Sequence, residues 1–114
     1  MFKFERLDVW QKSISLYEQV VLLSSSIQQR DQYSLGEQIR RAALSISTNI
    51  AEGTGRDSPK ESRYFYNVAK CSVYEVVSLL HVCKKQHYVE DGHFQNLYLQ
   101  CDEIASMLSG LMKR

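Results

Sequence analysis

Lys60, Arg63, Asn67 and Lys70 recur at spacings of three, four and three, the interval that sets side chains on one face of an α-helix. Arg40, Arg41 and Arg56 fall on the segment just before them. A guanidinium offers a planar donor fork to phosphate oxygens, and an ammonium adds a compact charge. The six cations Arg40, Arg41, Arg56, Lys60, Arg63 and Lys70 therefore suit weak, sequence-independent binding of a polyanion such as RNA. On a lone molecule the same stripe reads equally as a solvated face. The formal net charge is only +1, so a nucleic-acid role must come from clustering and not from total charge.

Other chemistry finds little support. Di-metal bundles need two E-x-x-H motifs on facing helices, and the single match, Glu90-Asp91-Gly92-His93, straddles an expected helix start. His81, His87 and His93 lack the i, i+4 spacing that brings two imidazoles to one metal. Cys71 follows the basic Lys70, but no histidine nearby marks a base for a nucleophile. Gly53 and Gly55 follow a helix, where a phosphate loop precedes one, and the G-x-x-x-x-G-K-[ST] pattern is missing. No catalytic residue, metal or cofactor is expected, and the protein is read as a non-enzyme. Asn49 reads as a buried amide fixing helix register, because an unpaired buried polar group costs roughly 1–3 kcal/mol. A ligand contact is the competing reading. Glu52 pairs with Arg56, and Glu37 with Arg41, at i, i+4.

These residues must be positioned by helices. The chain has 114 residues, one proline and five glycines, which favours long uninterrupted helices over a turn-rich β fold. A first helix begins near Asp8, as N-cap. It carries the stripe Trp10, Ile14, Tyr17, Val21 beside Leu16, Val20, Leu23, Ile27, and the polar run from Ser24 to Gln32 ends it. A second helix starts at Ser34, with Glu37 in capping-box spacing. It runs through Leu35, Ile39, Ala42, Ile46 and Ile50, and stops at Gly53 and Gly55, glycines suited to a left-handed C-cap. The third starts at Ser58-Pro59-Lys60-Glu61 and buries Phe65, Ala69, Ser72, Val76, Leu79 and Cys83. The fourth starts around Asp91 and buries Phe94, Leu97, Cys101, Ile104, Leu108 and Leu111. Short connections favour antiparallel neighbours. The expected fold is all-α: one antiparallel up-down-up-down four-helix bundle over residues 1–114. Leu44, Tyr66, Tyr74 and Val82 lie outside these stripes, and apolar surface of that kind marks an interface.

The odd count of three cysteines, with Cys83 and Cys101 in apolar stripes, reads as reduced, buried thiols in a cytosolic protein. The N-terminus has no apolar signal core, and no apolar run approaches the roughly 20 residues that span a bilayer. The expected location is the cytoplasm.

The segment Gln38-Ile39-Arg40-Arg41-Ala42-Ala43-Leu44-Ser45-Ile46, followed by Asn49-Ile50-Ala51-Glu52-Gly53 and Gly55-Arg56, resembles the signature of a bacterial family. These are four-helix bundle proteins encoded in intervening sequences of 23S ribosomal RNA genes. Leu7, Val9-Trp10-Gln11-Lys12, Phe65, Ala69, Ser72, Glu75 and Met107-Leu108 with Gly110-Leu111 extend the likeness over nearly the whole chain. The sequence departs from the family pattern at Ser47, where proline is common, and at Lys70-Cys71, where a glycine often precedes Ser72. The resemblance implies a cyclic homo-oligomer, typically a pentamer. Related members are accessory proteins to reverse transcriptases of diversity-generating retroelements, and their strongly basic charge contrasts with this chain. The leading functional expectation is an oligomeric binding or scaffold protein for RNA or for an RNA-handling enzyme. A ring that binds only protein is the alternative, and a reverse-transcriptase accessory role is a further one.

Overall fold

The apolar stripes close on one another in the computed structural model, which describes residues 1–114 and contains helices but no strand. A 3-10 turn, Lys3–Arg6, leads into α1 (Asp8–Ser24). A single turn, α2 (Gln29–Asp31), and a π-helical segment, Gln32–Gly36, run into α3 (Glu37–Thr54). The chain continues through α4 (Pro59–Lys85) and α5 (Asp91–Met112). The four long helices are neighbours in chain order, and α1 closes the square by packing on both α3 and α5. This is the expected up-down-up-down bundle. Its length is 43 Å and its cross-section 24 × 23 Å.

Polar pairs between helices record the antiparallel register. The amides of Gln19 and Gln100 exchange two hydrogen bonds of 2.9 Å between α1 and α5, and the Lys12 ammonium lies 3.2 Å from Glu103 on the same pair. Between α3 and α4, Ser45 and Ser72 share a hydroxyl bond of 2.8 Å, and Gln38 donates to Glu75 at 3.1 Å. Every buried side-chain nitrogen or oxygen has a partner.

Several expected details are corrected. Asp8 is the first residue of α1 and not its cap; the cap position is Leu7. There Asp8 still complements the positive end of the helix dipole. Ser34 is not a helix cap either, since helical backbone begins at Gln29 and passes through Ser34 in π form. The reason is Gln32, whose amide donates to the Ser24 and Ile27 carbonyls at 2.8 and 2.7 Å. That side chain caps the end of α1: Ser24 to Ser26 close the first helix as expected, and the rest of the polar run, from Gln29, opens the second. In α4 the buried face is two columns wide because the helix packs against both α3 and α5. Tyr66, Val73 and Leu80 are buried there, while Phe65 and Leu79 are half-buried. In α1 the stripe Leu16, Val20, Leu23 and Ile27 is buried, and Trp10, Ile14, Tyr17 and Val21 are half-buried. The start of α4 is as expected: the Ser58 hydroxyl accepts from the Glu61 amide at 3.2 Å, with Pro59 at the first helical position.

No helix is long and apolar enough to cross a membrane. All three cysteines are free thiols; Cys83 and Cys101 are buried, and Cys71 is exposed, contrary to the uniformly buried set expected.

Candidate nucleic-acid interface

The turn between α3 and α4 forms one end of the bundle, and its position depends on a close helix approach. Gly53 is not a left-handed cap: α3 continues through Thr54, and the capping Gly55 has right-handed φ of −88°. Gly53 instead makes room for the Tyr66 ring, which a Cβ at this position would meet at 2.6 Å. The Ser62 hydroxyl donates to the Gly53 carbonyl at 2.7 Å and ties the first turn of α4 back onto α3.

Arg56 is held at this tip by two contacts. Its guanidinium carbon lies 4.3 Å above the Phe65 ring, and one of its nitrogens is 3.9 Å from the Glu52 carboxylate. Arg56 and Arg63 then meet cations from two remote parts of the chain, Lys3 of the 3-10 turn and Arg114 after α5. Together they line a cleft of about 340 Å³. Leu7, Tyr66 and Leu111 supply its apolar wall, and Asp57 is the one carboxylate residue lining it. Burial pushes the Tyr66 phenol up, against the opposing pull of the Arg114 charge. Arg114 also borders a second hollow of about 440 Å³, which Arg6 and Asp8 share. Four cations against the Asp57 carboxylate, with Glu52 beside Arg56, leave a net positive concave surface that focuses potential. The apolar wall adds a surface on which a base or sugar can lie.

The six basic residues singled out from sequence do not form one patch. Arg56, Lys60 and Arg63 sit at the tip, and Lys60 and Arg63 are exposed. Lys70 is half-buried, ~10 Å further along α4 from Arg63 at 1.5 Å per residue. Arg40 and Arg41 lie ~24 Å from Arg56 along α3 by the same rise. Arg40 is half-buried and donates to Ser24 Oγ at 3.2 Å and to Gln32 Oε1 at 3.1 Å, which places it in the joint between α1 and α3. Arg41 is exposed and pairs with Glu37 at 3.3 Å. Lys3 and Arg114 escaped the sequence reading because no spacing rule links the two chain ends to position 56. Their only sequence signal is a cation at each end of a bundle whose termini share one pole.

Asn49 is half-buried, not a core amide. It donates within α3 to the Ser45 carbonyl at 2.8 Å and to Ser45 Oγ at 3.0 Å, and Ser45 passes the network on to Ser72 of α4. Its contribution to register is thus indirect. No group of three or more His, Cys, Asp or Glu side chains is placed to hold a metal ion.

Comparison with known proteins supports the same architecture. The sequence profile described as 23S rRNA-intervening sequence protein matches residues 5–110. A solved structure of a protein of unknown function from the S23 ribosomal protein family of Bacteroides thetaiotaomicron VPI-5482 superposes with a TM-score of 0.85 at 21% identity, covering 93% of this chain and 99% of that one. At that identity the likeness speaks to the fold alone. No curated protein matches the chain.

Proposed function

Because the chain belongs to the 23S rRNA-intervening sequence protein family, we propose that it works by binding and scaffolding and not by catalysis. It is a self-associating bundle whose basic end engages the phosphate backbone of RNA. The observation that carries this reading is the cleft at the α3–α4 tip, where Lys3, Arg56, Arg63 and Arg114 converge on one concave surface. Phosphate contacts by lysine and arginine supply sequence-independent affinity through counterion release. One protomer offers few such contacts. A cyclic homo-oligomer, a pentamer as the family resemblance implies, repeats the cleft around a rim and multiplies its field.

Self-association is supported by apolar surface left open on the single bundle. Tyr74 is 65% exposed and Leu99 56% exposed. Between α4 and α5, Val73, Tyr74, Val77, Tyr98 and Ala105 line a groove of about 270 Å³. The same groove favours the second reading, a ring that binds only protein and ignores nucleic acid.

A titration of the wild-type protein with structured RNA, DNA and a nonspecific polyanion at low salt separates the two. Binding that weakens steeply with salt, and that is lost in the Arg63→Glu, Arg114→Glu double variant, supports the RNA reading. A wild-type protein that ignores all three polyanions leaves the protein-interaction ring as the account.

A further inference from the structure

The pole opposite the basic cleft holds an open hollow of about 980 Å³, bordered mainly by exposed residues. All three histidines of the chain border it: His81 from α4, His87 from the turn, and His93 from α5. Nothing in their spacing anticipates this; the antiparallel return of α5 alongside α4 brings them together. Lys84, Lys85, Glu90 and Asp91 complete the charged rim. With neutral imidazoles, two ammonium groups face two carboxylates, and the rim carries no net charge. Imidazole is the side chain whose charge changes between pH 5 and 8. Protonation of all three moves the rim from zero to +3.

The backbone carries a second, independent observation. His87 has φ of +63° and is the one non-glycine residue of the chain with positive φ. Its amide donates to the Lys84 carbonyl at 3.1 Å, and the Tyr88 amide to the Cys83 carbonyl at 2.9 Å. That pair of bonds defines the helix ending in which glycine is the usual occupant. A β-carbon is strained there, and strain of this kind concentrates where a side chain is needed. Glycine would adopt this backbone without that strain.

We propose that this hollow is a proton-gated site for a phosphoanion, its rim balanced when the three imidazoles are neutral and cationic when they carry protons. His81 is braced edge-on against Phe94, with centroids 4.9 Å apart. Lys84 lies 4.7 Å above the same ring and 3.7 Å from Asp91. As the imidazoles charge, they offset Asp91 and Glu90 and loosen the hold of Asp91 on Lys84. On the remaining side, Ser26 follows α1, and the Tyr88 hydroxyl donates to the carboxylate of Asp31, itself 3.5 Å from Arg30. This contact fastens the α4–α5 turn to α2 and leaves Arg30 and Asp31 offsetting one another. The site does not depend on the RNA reading, since α4 separates the two poles by 27 residues.

The test is calorimetric titration of the intact protein with inorganic tripolyphosphate at pH 5.5 and 7.5. The probe loses charge as pH falls, so tighter binding in acid must come from the protein. The expected gain is about tenfold, within the usual range for two coupled ligands, here proton and anion. His87→Gly is the informative variant, because it removes an imidazole while relieving the backbone. It should melt at a higher temperature than wild type and lose most of the acid-dependent gain. A short single-stranded RNA titrated in parallel identifies the source of phosphate. Acid-enhanced binding of both ligands assigns backbone phosphates as well, and enhancement for tripolyphosphate alone assigns a free anion; either supports the site. Equal affinity at the two pH values overturns it. So does undiminished binding by His87→Gly, or loss of binding in Arg63→Glu, which would move the ligand to the other pole.

Discussion

The aromatic ring of Tyr66 rests on the Cα of Gly53, and a Cβ built there would stand 2.6 Å from one ring carbon and 2.8 Å from the next. Both neighbours of the contact are fixed: Tyr66 is buried on α4, and the Gly53 carbonyl accepts from Ser62. Neither side can yield without moving the tip that carries Arg56 and Arg63.

Gly53→Ala should therefore destabilise the bundle by about 1–3 kcal/mol, the usual range for overpacking a tight contact, despite alanine being the better helix former. Removing the ring should relieve the clash, so Gly53→Ala in a Tyr66→Ala background should add little to the cost of Tyr66→Ala alone. Urea denaturation of the four proteins measures that coupling. Strictly additive losses would show that the ring and the glycine are independent.

Leu108 is fully buried in α5, among the side chains that close the core. Leu108→Ala removes most of that side chain and leaves a cavity, at an expected cost of roughly 2–5 kcal/mol. Chemical denaturation checks the value. Leu99 lies on the same helix but is exposed. Leu99→Ala should cost the isolated bundle little, and if it lies in the ring interface it should weaken assembly by light scattering.

What the sequence revealed and what it hid have a common physical origin. Periodicity reports which face of a helix is apolar, so the stripes of α1, α3 and α5 and the capped start of α4 were legible. It does not report which of two adjacent columns faces a neighbour, and Tyr66 was placed outside the core for that reason. Polar residues are harder still. Gln32 and Arg40 look like surface residues, yet Gln32 bonds two carbonyls of the α1 turn, and Arg40 bonds Gln32 and Ser24. The meeting of Lys3 with Arg56 and of His81 with His93 depends on which helix ends share a pole. That information lies in the topology and not in local spacing.

The thiols give a pH dependence with a definite sign. Burial pushes Cys83 up from 9.0 to about 11 and Cys101 up to about 12. The folded protein thus holds protons that the unfolded chain releases. This contribution to stability is complete below pH 9 and is lost as pH rises from there through the folded values. Denaturation midpoints should fall steadily above pH 9, and the Cys83→Ala, Cys101→Ala variant should show a shallower fall. At neutral pH a maleimide should label Cys71 alone in the native state. Rapid native labelling at Cys83 or Cys101 would contradict their burial.

Arg40 and Arg63 provide the sharpest contrast between structure and binding, because sequence placed them in one cluster and the fold separates them. Arg40→Ala removes a donor from Gln32 Oε1 and Ser24 Oγ in the joint between α1 and α3. The expected cost is about 1 kcal/mol of stability for the two hydrogen bonds lost from a half-buried joint, with RNA affinity unchanged at temperatures where the variant is folded. The Arg63 side chain makes no hydrogen bond or ion pair within the protein and lines the cleft. Arg63→Ala should leave stability within about 0.5 kcal/mol of wild type, as expected for an exposed site. If its guanidinium neutralises one phosphate per occupied cleft, the slope of log affinity against log salt for single-stranded RNA should flatten by about 0.7 per cleft. Filter binding between 50 and 200 mM salt, about the range over which such contacts are screened, reads that slope. A variant that keeps the wild-type slope removes Arg63 from the phosphate contacts. A loss of affinity in Arg40→Ala that is not traceable to unfolding would return the far end of α3 to the binding surface.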